Sequence, residues 1–238
     1  MMQTNQMEYQ DGNTLLELFY AFDNKQTGKR PAVLIAHDWS GRTDFTHNKA
    51  IKLAEMGYVG IAIDMYGKGK IGQTKEEKTA LMQPLADDRA KLQQRILAAF
   101  HTVQKIDQVD PRKIGAIGFC FGGLCALDLA RSGADVSGVV SFHGLLTAPT
   151  DVKKHRIKAK ILALHGHDDP MGKPEQVLVF ETEMTEAKVD WQLNVYGNTM
   201  HAFTNPMAND PDFGTVYNAS ADKRSWIAMT NFFEEVFA

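Results

Sequence analysis

The stretch of sequence that determines the fold covers residues 113–131 and reads KIGAIGFCFGGLCALDLAR. Its first part, Lys113–Phe119, is an apolar run typical of a strand buried on both faces. Its last part, Phe121–Arg131, has the pattern of a helix. Between them stands Cys120, with a glycine two positions before it and another two positions after it. A strand-to-helix turn this sharp needs small residues at both places, so the pattern predicts a nucleophile elbow with Cys120 at its tip.

The same alternation of apolar and helical segments extends along the rest of the chain. Short apolar runs predict further strands at Leu15–Phe22, Ala32–Ala36, Tyr58–Ile63, Val136–Phe142, Ala159–Leu164 and Asp190–Val195. Helical patterns cover Asn48–Glu55, Glu175–Lys188, Ala221–Phe237 and a longer segment, Lys75–Gln104, which Pro84 divides. Apolar strands that alternate with helices predict a mostly parallel sheet with helices on both faces. The sequence therefore predicts an α/β fold in one domain, residues 1–238.

Composition and net charge argue against two classes of protein, nucleic-acid-binding and disulfide-rich. The 238 residues include 26 Lys and Arg against 29 Asp and Glu, a formal net charge of −3. That balance argues against a nucleic-acid partner bound through bulk positive charge. The two cysteines, Cys120 and Cys125, lack zinc-ligand spacing and exclude a disulfide-rich scaffold.

Neither a membrane span nor a secretory signal is predicted. No window reaches about 18 consecutive apolar residues. Residues 1–8 lack the basic cluster followed by an apolar run that a secretory signal needs. The expectation is a cytoplasmic protein with no membrane partner, and neither a cofactor nor a metal is expected.

Chemically capable side chains follow several of the predicted strands, where the carboxyl ends of parallel strands place functional sites. Residues 37–41 follow one strand, Cys120 follows the central strand, and Asp168, Asp169 and His201 follow two later strands. A nucleophile needs a base and a group that orients the base, and in the elbow fold the chain order is nucleophile, acid, histidine. His201 is therefore the predicted base. Asp169, which directly precedes a proline, is the preferred acid, and Asp168 is the competing choice.

Other interpretations of these residues stay open at this point. Cys120 alone could be a buried structural thiol beside a glycine-rich turn, since free cysteines are often buried. Cys125, farther along the same helix, is predicted to lie in the core. His201 could be an ordinary loop histidine. A metal site is the less favoured interpretation of the cluster formed by His165, His167, Asp168 and Asp169.

The remaining part of such a site is an oxyanion hole, which needs two backbone N–H groups. One is expected from the residue after the nucleophile, Phe121, and the other from the loop after an earlier strand. The loop His37-Asp38-Trp39 has that position, and Trp39 is the predicted second donor.

With these residues in view, the chain resembles the dienelactone hydrolase family of the α/β-hydrolase superfamily, from about Arg30 to the C-terminus. The landmarks of the resemblance are Val33–Gly41, Tyr58–Gly67, the Gly-Phe-Cys-Phe-Gly-Gly elbow, Gly166–Pro170 and Gly197–Pro206. The resemblance implies an α/β-hydrolase fold and a Cys120–His201–Asp169 triad that acts on an ester or lactone. It also gives Asp38 the position of a family carboxylate, usually Glu, that pairs with the resting thiol and modulates its activation.

The sequence departs from the family where a substrate carboxylate is bound. The family has an Arg shortly after the catalytic histidine, whereas this chain has Phe203-Thr204-Asn205. Arg89 is only a loose match for a second family Arg ahead of the elbow. Trp39, Phe121 and Phe203 predict a more apolar substrate, and His143 is predicted to line the pocket.

The predicted activity is hydrolysis of a small-molecule ester or lactone through a thioester acyl-enzyme on Cys120. A general carboxylesterase or thioesterase with the same triad is the first alternative. A non-catalytic member that uses the thiol for binding or redox sensing is the second, although Cys125 should point away from Cys120. The natural substrate, the oligomeric state (monomer or homodimer) and a lid formed by residues 68–95 stay open.

Overall fold

An eight-stranded sheet forms the centre of the molecule. The computed structural model describes residues 1–150, 152–153 and 155–238. Within these residues the strands are β1 Met2–Asp11, β2 Thr14–Asp23, β3 Arg30–Ala36, β4 Val59–Ile63, β5 Val109–Phe119, β6 Gly138–Phe142, β7 Lys160–Gly166, β8 Trp191–Tyr196, β9 Asn209–Asp210 and β10 Thr215–Val216. The helices are α1 Asp44–Glu55, α2 Lys75–Ala86, α3 Arg89–Val103, α4 Phe121–Arg131, α5 Pro174–Glu186 and α6 Ala219–Val236.

The strand order across the main sheet is β1-β2-β4-β3-β5-β6-β7-β8. Strands β3 to β8 run parallel to one another, and β1 and β2 run antiparallel at one edge. In β3, Leu34 and Ala36 face the core shared with α3, α4 and α5, whereas Val33 and Ile35 face the core shared with α1 and α6. Both faces of the strand are buried, which explains its continuous apolar run. The predicted fold class, a mostly parallel sheet with helices on both faces, is confirmed.

Strand β1 was not predicted because most of its residues are polar. Only Tyr9 and Asp11 in it are buried. The strand pairs along its whole length with β2 through a tight turn in which Gly12 has a φ of +54°. An edge strand with one face in solvent lacks the apolar run that marks the central strands.

The long helical segment divides a few residues later than Pro84 predicts. Pro84 lies inside α2, which ends at Ala86. The Asp88 side chain then accepts the Lys91 N–H at 2.9 Å and begins α3. Proline removes a single intrahelical donor near the end of α2, whereas the N-cap at Asp88 defines a new helix start. None of the helices in the described residues is long and apolar enough to cross a membrane.

A buried ion network joins three helices on one side of the sheet. Arg89 of α3 donates to both carboxylate oxygens of Asp128 in α4, at 2.6 Å each. Arg131 of α4 donates to Glu183 of α5 at 2.6 Å and lies 3.4 Å from Asp128. Buried charges persist when they are paired and hydrogen-bonded in this way. Because the Arg89 guanidinium is held against Asp128, the loose match to a carboxylate-binding Arg of the family is wrong.

The sheet brings the functional loops to one edge. β3, β5, β6, β7 and β8 are parallel, so their carboxyl ends meet on the same side of the sheet. The residues that follow these ends include Asp38, Cys120, His143, Asp169 and His201. Side chains from five separate parts of the sequence therefore converge where open α/β sheets bind ligands.

Candidate active site

The turn between β5 and α4 holds Cys120 in a strained conformation. Its backbone has a φ of 55° and a ψ of −118°, which residues other than glycine rarely adopt. A Cβ on Gly118 would lie 1.8 Å from the Gly122 carbonyl oxygen, and a Cβ on Gly122 would lie 2.1 Å from the Ala36 carbonyl oxygen. Only glycine fits at either position. The turn therefore has the geometry of a nucleophile elbow, with the thiol at the N-terminus of α4.

His201 and Asp169 form a buried pair beside this turn. His201 Nδ1 lies 2.7 Å from Asp169 Oδ2, and both side chains are almost fully buried. The other carboxylate oxygen of Asp169 accepts the Met171 N–H at 2.8 Å, which fixes the side chain. Asp168 is exposed, and its backbone N–H donates to the Thr199 carbonyl at 3.0 Å. The structure therefore places Asp169 rather than Asp168 against the histidine.

The environment of His201 favours its charged form. Burial alone lowers the His201 pKa, but the interactions with Cys120 in its thiolate form and with the Asp169 carboxylate outweigh burial and raise it to about 10. His201 Nε2 is buried and forms no hydrogen bond of standard geometry within the described residues. When the ring is neutral, Nε2 can take the thiol proton, and Asp169 and the resulting thiolate then stabilise the imidazolium.

Both predicted oxyanion donors lie at the cavity described below. Phe121 is the first residue of α4, so its N–H has no acceptor inside the helix. The Trp39 loop is held from two sides. On one side the Tyr66 hydroxyl donates to the Trp39 carbonyl at 3.1 Å. His37 Nδ1 donates to the Asp38 carbonyl at 2.6 Å, while Nε2 accepts a backbone N–H of the β4 loop at 3.1 Å. These contacts make the loop a rigid wall, as an oxyanion site requires.

Sequence reasoning assigned no role to His37, and the structure shows what it does. Burial lowers its pKa, so the ring is neutral at physiological pH. In that form one nitrogen donates and the other accepts, which matches the two hydrogen bonds that it makes. The signal in the sequence was its position, directly after a buried strand and directly before the Asp38-Trp39 loop.

The Asp38 carboxylate binds its own loop. It accepts the Ser40 N–H at 2.7 Å, in the manner of an Asx turn. The side chain also lines the cavity that contains Cys120. Among the described residues no hydrogen bond joins Asp38 to Cys120, so pairing with the resting thiol stays a prediction.

His143 and Phe203, both predicted to contact the substrate, take different places. His143 lines the cavity and its ring is buried. Phe203 is fully buried in the core and contacts His143 and Tyr196 with ring centroids 5.0 and 5.6 Å apart. Phe203 is not part of the cavity wall, so its predicted contact with the substrate is corrected. Its side chain points from the histidine loop into the sheet face that α6 covers.

A cavity of about 540 Å³ lies over Cys120 and His201. Its walls come from the Trp39 loop, from α2 and from the segment 202–215. The apolar part of the wall includes Trp39, Phe45, Met82, Leu145, Met171 and Phe213. Helix α2 thus covers the site in this structure, and it is the central part of the segment considered as a lid.

Two lysines of α2 bring positive charge to the cavity. Lys75 Nζ lies 2.7 Å from an Asp210 carboxylate oxygen and 4.4 Å from the Phe213 ring centroid. Lys78 Nζ lies 5.5 Å from the Trp39 ring centroid, and no carboxylate of the described residues pairs with it. The Trp39 and Phe213 rings stack with centroids 5.5 Å apart, and each lysine lies near one of them. From the sequence, only arginines were considered for binding a carboxylate, and the lysines of α2 were missed. Their signal was their place near the start of the helix that follows β4.

The predicted metal alternative has no geometric support. His167 and Asp168 are exposed, and Asp169 is bound to His201. Across residues 1–150, 152–153 and 155–238, no group of three or more His, Cys, Asp and Glu side chains is arranged to hold a metal ion.

A parallel sheet with a cysteine elbow, a following acid and a histidine defines an α/β-hydrolase. Comparison with known proteins specifies the family. A sequence model of the dienelactone hydrolase family matches residues 19–237. The chain therefore belongs to the dienelactone hydrolase family, and it is a hydrolase that acts on ester or lactone bonds.

The chain is also similar to individual proteins. An uncharacterized protein of Caenorhabditis elegans is 38% identical and covers 64% of this chain and 99% of its own length. A Bradyrhizobium protein with the name probable 2-oxo-3-(5-oxofuran-2-ylidene)propanoate lactonase is 28% identical, over 84% of this chain and 82% of its own. Among solved structures, a dienelactone hydrolase-like promiscuous phosphotriesterase from metagenomic libraries is 35% identical, with a TM-score of 0.93 over 100% of this chain and 99% of its own.

Proposed function

We propose that the chain cleaves its ester or lactone substrate with a Cys120–His201–Asp169 triad and forms a thioester acyl-enzyme. The observation that carries this proposal is the position of His201. Its Nδ1 is held by buried Asp169 at 2.7 Å, and its Nε2 is left free beside a cysteine on a strained elbow. A nucleophile, its base and the group that orients the base are the parts that covalent acyl transfer needs.

In the proposed reaction the Cys120 thiol transfers its proton to His201 Nε2, and the thiolate attacks the carbonyl carbon. The carbonyl π electrons move to the oxygen, which the Phe121 and Trp39 N–H groups stabilise by about 3–4 kcal/mol per donor. The imidazolium returns the proton to the leaving alcohol, and the C–O bond breaks. His201 then takes a proton from water, and the hydroxide displaces Cys120 from the thioester to release the acid.

The cavity supports a small substrate with an apolar part and an anionic part. Aromatic and methionine side chains form much of its wall, and Lys78 brings an ammonium group without a carboxylate partner among the described residues. A carboxylate on the substrate would satisfy that charge. The name of the Bradyrhizobium relative, a lactonase acting on an anionic lactone, supports the same substrate class.

The first experiment measures p-nitrophenyl acetate hydrolysis by the wild type, Cys120→Ala and Cys125→Ala. Cys125 is a matched control because it is the other thiol, lies in α4 and is fully buried. We expect the wild type and Cys125→Ala to turn over and Cys120→Ala to be inactive. Mass spectrometry of the quenched wild type should show an adduct of about 42 Da, one acetyl group, on Cys120. Turnover by Cys120→Ala would refute the proposed nucleophile.

The second experiment separates the substrate classes with Lys78→Met. Loss of a charged hydrogen bond should lower kcat/KM by roughly 10- to 100-fold for a carboxylate-bearing lactone. The neutral p-nitrophenyl acetate should be affected much less. Equal losses with both substrates would contradict an anion-binding role. A thioester and a phosphotriester belong in the same panel, because they test the thioesterase alternative and the activity named for the metagenomic relative.

A non-catalytic thiol module is the remaining alternative. It predicts no turnover of any ester in the panel and a functional role for oxidation of Cys120. Cys125 is fully buried, so it is poorly placed as a resolving thiol. Multiple turnovers of p-nitrophenyl acetate by the wild type, lost in Cys120→Ala, would rule this alternative out.

A further inference from the structure

A buried histidine that the triad does not use lies between the nucleophile and the base. We infer that His143, together with Thr204, is a positioning residue that ties the turn of Cys120 to the segment carrying His201. This inference rests on the proposed triad, because it concerns how the thiol and the imidazole are held relative to each other.

The two ring nitrogens of His143 form hydrogen bonds to different segments, one to the Cys120 turn and one to Thr204. Its Nδ1 accepts the Cys120 N–H at 3.1 Å, and the same N–H lies 3.0 Å from the Phe142 carbonyl oxygen. Its Nε2 lies 2.8 Å from Thr204 Oγ1. One ring therefore connects the backbone of the elbow to a side chain three positions after the proposed base.

These contacts permit only one protonation state of the His143 ring. Nδ1 accepts a hydrogen bond from the Cys120 N–H, so it carries no proton of its own. A neutral ring then has its proton on Nε2, which donates to Thr204 Oγ1. Burial and the neighbouring His201 hold the pKa of His143 well below its usual range. A protonated ring would turn Nδ1 into a donor against another donor, and the bond to the elbow would be lost.

The charges around His143 reinforce the neutral state. Lys49 of α1, His165 of β7 and His201 each oppose a positive charge on the ring. The Cys120 side chain lies on the elbow to which the ring is bonded. Lys49, His165 and His201 therefore add to burial in keeping the ring neutral.

Packing against neighbouring residues also restricts movement of the His143 ring. The His143 ring meets His201 edge-on with centroids 5.1 Å apart, and Phe203 lies 5.0 Å away. The next residue, Gly144, is so close to α4 that a Cβ on it would lie 2.8 Å from the Gly123 Cα. A shift of His143 would therefore displace both the elbow and the base.

The backbone of His143 dictates the variants that test this role. Its φ of +40° suits Asn and Gly, which tolerate the left-handed region. His143→Asn keeps an acceptor close to the position of Nδ1, whereas His143→Gly removes it. We expect His143→Gly to lower kcat by roughly 10- to 100-fold with little change in KM, as a small misplacement of reacting groups does. His143→Asn should recover most of that loss.

Thr204 provides an independent pair of variants. Thr204→Val removes the hydroxyl that accepts from Nε2, and Thr204→Ser retains it. The valine variant should lose kcat relative to the serine variant. The melting temperature of each protein is measured alongside, so that a global loss of fold is recognised.

Alkylation of Cys120 by iodoacetamide makes the test independent of the substrate. Cys125 is fully buried, so the label is expected on Cys120. We expect slower alkylation in His143→Gly than in His143→Asn. Equal alkylation rates and equal kcat in folded Asn and Gly variants would overturn the positioning role. If the wild type hydrolyses no ester, the proposed function fails, while the alkylation rates still decide whether His143 positions the thiol.

Discussion

Replacement of Asp169 by Asn tests how the proposed base is oriented. Asp169 Oδ2 lies 2.7 Å from His201 Nδ1, and both groups are buried. An ionised carboxylate only accepts, so it holds the proton of His201 on Nδ1 and leaves Nε2 free for the thiol proton. The amide of Asn offers donors as well, and an NH2 turned toward Nδ1 favours the tautomer with the proton on Nε2. Asp169→Asn should therefore block proton transfer from Cys120 while changing no side-chain volume.

The expected magnitude follows from the charges around His201. Cys120 and Asp169 together raise the His201 pKa from 6.5 to about 10 against the effect of burial. This rise means that the site favours the imidazolium over the neutral ring. Asp169 supplies part of that preference, so we expect kcat/KM to fall by roughly 100- to 1000-fold. A serine triad loses about 10⁴-fold on the same change, but a cysteine needs less help to ionise.

The assay is p-nitrophenyl acetate hydrolysis by the wild type, Asp169→Asn and Asp168→Asn, with melting temperatures measured in parallel. Asp168 is exposed, and its contact with the Thr199 carbonyl uses only its backbone N–H. Asp168→Asn should therefore stay within about twofold of the wild type. A larger loss in Asp168→Asn than in Asp169→Asn, in folded proteins, would refute the assignment of the acid and the reasoning from burial.

Three further predictions concern the elbow, the buried ions and acid stability. Gly118→Ala should lower kcat by roughly 100-fold, since a Cβ there lies 1.8 Å from a backbone oxygen and a shift of about 1 Å costs that much. Gly197→Ala, whose Cβ meets nothing within 4 Å, is its control in the esterase assay, and equal losses would contradict the steric explanation. In urea denaturation, Asp128→Asn should lower the free energy of unfolding by about 3–5 kcal/mol because it removes the carboxylate that accepts two hydrogen bonds from Arg89 in a buried ion pair. Asp135→Asn, in an exposed pair, should change it by less than about 1 kcal/mol, and a similar change in both would show that the network contributes little. The pKa of His143 lies well below 6.5, and burial also lowers the pKa of other histidines. Below pH 6.5 the unfolded chain therefore binds more protons than the folded chain, so the free energy of unfolding should decrease as the pH falls below 6.5. A melting temperature in calorimetry that rises on acidification would contradict this.

Elements formed by residues adjacent in the chain were predictable from the sequence. β5, the elbow and α4 lie within one continuous stretch, so the apolar run, the glycines and the helical pattern report directly on the local backbone. The order of Cys120, Asp169 and His201 after successive strands was visible for the same reason. β1 was not predicted, because a polar edge strand is stabilised by its pairing with β2 rather than by its own apolar residues.

Side-chain roles were harder to predict than backbone elements. Phe203 was expected at the substrate, yet it packs in the core behind His143. Arg89 was considered for a substrate carboxylate, yet it is bound to Asp128. In both cases the residue type was compatible with either role, and the direction of the side chain decided between them.

By itself the sequence determined the α/β class, the cysteine elbow and the succession of acid and histidine, because steric demands and apolar periodicity act between residues close in the chain. Only the tertiary structure decided that Asp169 rather than Asp168 contacts His201, that α2 covers the cavity, and that His143 bridges Cys120 and Thr204. These contacts join residues far apart in sequence. They depend on where five parallel strands end and on which side chains the packed core leaves directed toward that edge.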